Sequence, residues 1–154
     1  MTNWSRRLII MLDQLYAVTL RQPWAWAIAH CGKRIENRTW SPRHSLIGQR
    51  IAIHAGKSMD EDGFRWLYKR KLITVPFPPA AHVRGAIVAV ATYQGAVRQS
   101  DDPWFFGPVG WVLSDVVSLL APVPCRGALG LWIVPDDVRI EIWSQLQDYA
   151  LEGI

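Results

Sequence analysis

The chain has 154 residues, of which 50% are hydrophobic and 19% charged. This composition excludes a disordered polymer and predicts one folded domain over residues 1–154. The net charge of +4 is uneven, because residues 1–98 hold 15 Lys and Arg against 5 Asp and Glu, whereas residues 99–154 hold 2 against 8. The basic part predicts a surface that attracts polyanions such as nucleic acids.

The cysteines and the apolar runs exclude further classes of protein. Cys31 and Cys125 have neither metal-ligand spacing nor a disulfide framework, so neither a metal nor another cofactor is expected. No apolar run reaches the roughly 18 residues that a membrane-spanning helix needs. Residues 1–15 are expected to form an N-terminal extension. These features favour a cytoplasmic protein without a membrane partner and leave its oligomeric state open.

The first forty residues predict a strand, a helix and a second strand. β-Forming residues alternate over 16–20. Pro23 and Gly32 bound a short helix over 23–31, whose N-terminus leaves backbone N–H donors free. A second strand is expected over 34–40. Its charged residues and its tryptophan share one face: Arg34, Glu36, Arg38 and Trp40.

The rest of the chain predicts four more strands and two more helices. The strands are expected over 50–55, 85–93, 111–120 and 129–134. The helices are expected over 60–71 and 136–152, and the prolines of 75–79 predict a loop between them. Since strands and helices do not alternate regularly, we predict an α+β fold. It would be a small, mostly antiparallel β-barrel of about six strands, with helices at its openings and a C-terminal helix.

Several motifs, in order and at their spacing, resemble the ASCH family (activating signal cointegrator homology) of the PUA-like superfamily. The motifs are Gln22-Pro23-Trp24-Ala25, Gly32-Lys33-x-x-Glu36-x-Arg38-x-Trp40, Ile51-Ala-Ile-His-Ala-x-Lys57, Gly85-Ala-Ile-Val-Ala-Val and Pro124-x-x-Gly127-x-x-Gly130-x-Trp132. They cover roughly residues 16–134. The resemblance implies a PUA-like β-barrel with a cleft beside the first helix.

The resemblance also implies a function. Members of the family are thought to bind RNA or DNA, and some act as small hydrolases. One branch removes the acetyl group of acetylated cytidine with a Lys, a Thr three residues later and a distant Glu. Lys33 matches that Lys and Arg38 matches a following Arg, but Glu36 stands where the Thr would be. Binding is therefore ranked above catalysis.

The charged residues of the second strand are the first candidates for a site. Lys33 can hold a phosphate, pair with Glu36, or act as a base if burial lowers its pKa. Glu36 and Arg38 can form a structural ion pair, or bind a base with Glu36 accepting from an exocyclic amine. His54 is a candidate acid–base group, although a lone histidine is more often structural.

The aromatic residues are candidates for stacking on bases. Trp24 and Trp40 can each stack a base, although Trp24 equally fits a core position beside Ile28. Trp104 is the candidate most expected to be exposed, because its loop is polar. Gln22, at the start of the helix, completes the expected binding wall.

Three functions remain open. The first is binding of RNA or single-stranded DNA by a basic rim formed by Lys33, Arg34, Arg38, Arg43, Arg50 and Lys57. The second is a small hydrolase that acts on RNA or on an acylated nucleoside, with Lys33, Glu36 and tentatively His54 as acid–base groups. The third is recognition of a protein partner through the aromatic surface.

Overall fold

The computed structural model describes residues 13–73 and 78–152. Residues 1–12 of the expected extension, and 75–77 of the expected proline loop, lie outside the described residues. Six strands and three α-helices are described. The strands are β1 (Tyr16–Gln22), β2 (Ile35–Arg38), β3 (Arg50–Met59), β4 (Ala86–Val97), β5 (Val109–Pro124) and β6 (Leu131–Ile133). The helices are α1 (Trp24–His30), α2 (Glu61–Lys69) and α3 (Asp136–Glu152).

The six strands form one sheet in the order β2-β5-β4-β3-β1-β6. β1 and β3 pair in parallel, and every other described ladder is antiparallel. The prediction of a mixed α+β, mostly antiparallel fold with a C-terminal helix is confirmed.

The helices cover opposite faces of the sheet, because alternate residues of each strand point to opposite sides. Val18 of β1 faces the core cluster that contains Ile28 of α1. Ala17, the preceding residue, faces the cluster that contains Val138 and Ile142 of α3. Asp60 caps the N-terminus of helix α2, and its side chain accepts a hydrogen bond from the Gly63 N–H at 3.0 Å. This helix packs with α1 in a third cluster.

Four strands, β1, β3, β4 and β5, extend beyond the bounds that their sequence patterns predict, and β3 and β5 show the reason. β3 continues through Gly56 and Lys57 because β1 still pairs with it, at Gln22 and Met59. β5 runs on to Pro124, which lies opposite Ala86 at the end of the β4 ladder. Pairing with a neighbouring strand therefore overrides the local signals of glycine and proline.

The predicted closed barrel is not confirmed. Closure would require β2, at one end of the strand order, to pair with β6 or β1 at the other end. No such ladder occurs among the described residues. A side chain spans the gap instead: Arg38 Nη2 of β2 donates to the carbonyl oxygen of Thr19 in β1 at 2.8 Å.

Candidate functional site

A cleft of about 310 Å³ lies in the gap between β1 and β2. Helix α1 and the loop before β5 complete its walls. The lining residues come from these four segments and from the turn between α1 and β2: Thr19, Leu20, Arg21, Trp24, Lys33, Glu36, Asn37, Arg38 and Phe106. The turn after α1 and the alternation along β2 bring Lys33, Glu36 and Arg38 to the same cleft, as their spacing predicts.

Lys33 and Glu36 form a buried ion pair in the cleft. Lys33 is only 2% exposed and Glu36 is 8% exposed. Lys33 Nζ lies 3.4 Å from Glu36 Oε2 and also donates to the carbonyl oxygen of Ile35. Burial lowers the pKa of Lys33, although the attraction of Glu36 opposes this shift. Lys33 is thus a buried cation rather than a surface lysine at a helix end.

Arg38 lies on the other side of the Glu36 carboxylate. Its Nε is 3.8 Å from Glu36 Oε1, and its guanidinium stands over the ring of Trp111 at 5.8 Å from the ring centroid. Arg38 Nε is buried and has no hydrogen-bond partner among the described residues. The cluster therefore contains two cations for one carboxylate.

Trp24 forms the helical wall of the cleft and is fixed by its ring nitrogen. Nε1 donates to Asp60 Oδ2 at 2.9 Å, and Arg21 Nη2 lies 3.9 Å from the same oxygen. Burial raises the pKa of Asp60, but these contacts and the Gly63 N–H outweigh it and lower the pKa overall. The anchored ring also lies 5.8 Å from Lys33 Nζ.

Phe106 forms the opposite lip and is held in place by Asn37. Asn37 Oδ1 accepts from the backbone N–H groups of Phe106 and Gly107 at 2.8 and 3.0 Å, and its Nδ2 donates to the Trp104 carbonyl at 3.0 Å. The Phe106 ring is 59% exposed. It packs edge-on against Trp66 at 5.5 Å, and Trp66 in turn lies 6.0 Å from Trp24.

Two predicted site residues are buried in structural networks outside the cleft. Gln22 is fully buried, donates to the Val83 carbonyl at 2.9 Å and accepts from the Trp26 N–H at 2.9 Å. His54 is 1% exposed and does not line the cleft. Gln22 lies beneath α1, where it binds the Trp26 N–H, and His54 is enclosed by Thr19, Cys125 and Trp132.

The hydrogen bonds of His54 define its tautomer. Nε2 lies 2.7 Å from the carbonyl oxygen of Cys125, which can only accept, so Nε2 carries the hydrogen. Nδ1 then accepts from the Thr19 hydroxyl at 3.2 Å, while that hydroxyl accepts from Trp132 Nε1 at 3.0 Å. Burial lowers the pKa of His54, and the contact with Cys125 only partly offsets this. His54 is therefore a neutral structural histidine.

The remaining predicted rim residues do not line the cleft. Arg34 donates to the carbonyl of Ile28 at 3.0 Å, and Lys57 is exposed on β3. Trp40 packs edge-on against Trp111 at 5.0 Å. Arg43 and Arg50 line a separate groove, where Arg43 donates to the Tyr16 hydroxyl at 3.0 Å. The order of the strands in the sheet separates Arg43 and Arg50 from the cleft, and local sequence does not encode strand order.

Trp104 is not the exposed aromatic residue that its polar loop predicts. It is only 8% exposed and lies 5.3 Å from Trp66 in the third core cluster. Its neighbour Phe106 occupies the exposed position instead. The role of Asn37 has no local signal in the sequence, because the Phe106 backbone that it holds lies 69 residues further along the chain.

Among residues 13–73 and 78–152, no group of three or more His, Cys, Asp or Glu side chains could hold a metal ion. The expectation that the protein uses no cofactor stays a prediction. None of the described helices is long and apolar enough to cross a membrane.

The fold and the cleft define a mixed α+β domain with a charged and aromatic cleft between a helix and an edge strand. A model of the ASCH domain matches residues 18–116, a span that includes every residue lining the cleft. The chain therefore belongs to the ASCH family.

A solved structure has a similar fold. The crystal structure of ASCH from Zymomonas mobilis superposes with a TM-score of 0.51 and 15% sequence identity, covering 84% of this chain and 93% of that chain. At this identity the likeness concerns the fold alone. No curated protein gives a significant match.

Proposed function

We propose that this ASCH domain binds RNA or single-stranded DNA and accepts one base in the cleft between β1 and β2. One observation carries the proposal: the buried ion pair of Lys33 and Glu36 meets the partly buried guanidinium of Arg38 in a single cleft that is flanked by Trp24 and Phe106. Burying charged groups is costly, and such groups at a cleft are typical of ligand sites.

The size and the walls of the cleft favour a base over a duplex. Its volume of about 310 Å³ is at the small end of the range for small-molecule sites. The exposed ring of Phe106 offers a face on which a flat heterocycle can stack, a contact worth about 1–3 kcal/mol per base. The excess cation of the cluster and the exposed Arg21 at the rim favour an anionic backbone nearby.

Anisotropy titration of a labelled single-stranded RNA over a series of salt concentrations tests the proposal. Affinity is expected to fall with salt, and Arg38→Ala is expected to weaken binding by more than tenfold. Arg98→Ala is the matched control, because it removes the same charge from a separate surface depression. No binding at low salt, or equal effects of the two changes, would refute the proposal.

A hydrolase that acts on an acylated nucleoside or on RNA is the second candidate, favoured by the lowered pKa of Lys33. The lowered pKa eases the loss of a proton from Lys33. The resulting neutral amine would take a proton from an attacking water and return it to the leaving group, while Glu36 holds the Lys33 amine in place. Incubation with acylated nucleosides and with single-stranded RNA tests this function. Turnover that survives both Lys33→Met and Glu36→Gln would exclude this mechanism.

A further inference from the structure

The cleft contains hydrogen-bonding groups that the protein leaves unused. Lys33 Nζ has three hydrogens, and its described partners, the Ile35 carbonyl and Glu36 Oε2, account for two of them. Arg38 donates to Thr19 through Nη2, but its buried Nε has no described partner. Buried donors without partners are rare because they are costly. A ligand with suitable acceptors would satisfy them.

The Glu36 carboxylate also has an unused oxygen. No donor of the described residues lies within hydrogen-bonding distance of Oε1, and Arg38 Nε, the cation on that side, is 3.8 Å away. Lys33 lies on the Oε2 side of the same carboxylate. The free groups are therefore ordered donor, acceptor, donor from Lys33 through Glu36 to Arg38.

We propose that the cleft selects the imide edge of uracil or thymine, in which a ring N–H lies between two carbonyl oxygens. This inference rests on the proposed function. The ring N–H would donate to Glu36, and the two carbonyls would accept from Lys33 and Arg38. This assignment differs from the sequence-based interpretation, in which Glu36 accepts from an exocyclic amine.

The other bases do not complement this order of groups. Cytosine presents one donor followed by two acceptors, and adenine presents a donor beside an acceptor. Guanine presents one acceptor followed by two donors, so it would direct an amine at one of the two cations. Each mismatched edge leaves a buried charged group unpaired, which is the strongest source of selectivity in a polar site.

Three other polar side chains line the cleft: Thr19, Arg21 and Asn37. The Thr19 hydroxyl is already bonded to His54 and Trp132, and Arg21 lies at the exposed rim beside Asp60. The amide of Asn37 makes three hydrogen bonds to the loop of Trp104, Phe106 and Gly107. Trp24 Nε1 is likewise committed to Asp60. The selection therefore depends on Lys33, Glu36 and Arg38, while the aromatic side chains supply stacking.

Competition binding with short homopolymers of U, C and A, and with a U oligomer that carries 3-methyluridine, tests the inference. The methyl group removes the ring N–H and leaves the rest of the base in place. We expect the C, A and methylated oligomers to bind at least about tenfold more weakly than the U oligomer. Ribothymidine oligomers keep the imide edge and are expected to bind like U.

The outcomes separate this inference from the proposed function. Failure of every oligomer to bind would overturn both. Binding of all oligomers with similar affinity, or unchanged binding of the methylated oligomer, would overturn the imide selection alone. The amide of Glu36→Gln can present a donor to the base, so the ratio of the affinities for U and C is expected to decrease at least threefold in this variant. Unfolding is measured in parallel to establish that the variant is folded.

Discussion

Arg38 Nη2 of β2 donates to the carbonyl oxygen of Thr19 in β1 at 2.8 Å, across the gap that a closed barrel would seal with a ladder. Backbone pairing at this place would fill the space that the cleft occupies. A long side chain joins the strands and still leaves room for a ligand. The open sheet and the cleft therefore have the same structural origin.

Replacing Lys33 by Met is expected to destabilise the fold by about 3 kcal/mol, because it leaves the buried carboxylate of Glu36 without its closest cation. Urea unfolding measures the loss. The double variant Lys33→Met, Glu36→Leu is expected to lose less than the single variant, since it removes the uncompensated charge as well. A double variant that is less stable than Lys33→Met would contradict this account.

Protonation of His54 is expected to make the fold less stable below neutral pH. The pKa of His54 is lowered in the folded state from 6.5, so the unfolded chain takes up a proton first as pH falls. The contribution of His54 to stability is fully present above pH 6.5 and is lost as the pH falls from 6.5 to the pKa of His54 in the folded state. The test compares the free energy of unfolding of wild type and His54→Gln from neutral pH to about pH 5. The variant is expected to lose less stability than wild type over this range.

Substitution of Asn37 by Ala is expected to loosen the Phe106 loop, because two backbone donors and one carbonyl lose their partner. Hydrogen exchange of the Phe106 and Gly107 amides is expected to accelerate, with a loss of about 1–3 kcal/mol in stability. Asn37→Asp is the matched control, because it keeps the oxygen that accepts from both amides. Equal acceleration in the two variants would mean that Oδ1 does not hold the loop.

Phe106→Ala is expected to weaken binding of single-stranded RNA by about 1–3 kcal/mol. Its stability is expected to change by less than about 0.5 kcal/mol, because the ring is 59% exposed. Leu120→Ala removes a side chain of similar exposure, 58%, away from the cleft. It is expected to bind like wild type, and a comparable loss of affinity would show that Phe106 contributes no specific contact.

Trp104→Ala is expected to cost about 3–5 kcal/mol of stability, because its ring is buried in the core beside Trp66. Thermal unfolding of Trp104→Ala beside Phe106→Ala measures the contrast. Similar melting temperatures would show that Trp104 does not support the core. The comparison separates a structural aromatic residue from an exposed one two positions later.

Local patterns predicted much of the site because eight of its nine lining residues belong to one short strand–helix–strand unit, β1–α1–β2. Pro23 and Gly32 bound α1, and strand alternation then places Glu36 and Arg38 on the same face. The same patterns could not place His54. Its position depends on the strand order, in which β3 lies between β1 and β4 and contributes no residue to the cleft.

The sequence by itself determined the element types, the mixed α+β class and the grouping of Trp24, Lys33, Glu36 and Arg38, since helix boundaries and strand alternation act over a few residues. Only the tertiary structure decided that the sheet stays open, that Lys33 is buried, and that Phe106 rather than Trp104 lines the cleft. These features depend on strand order and on contacts such as Asn37 with Phe106, 69 residues apart. The free energy of such contacts is set by packing in three dimensions, which local propensity does not describe.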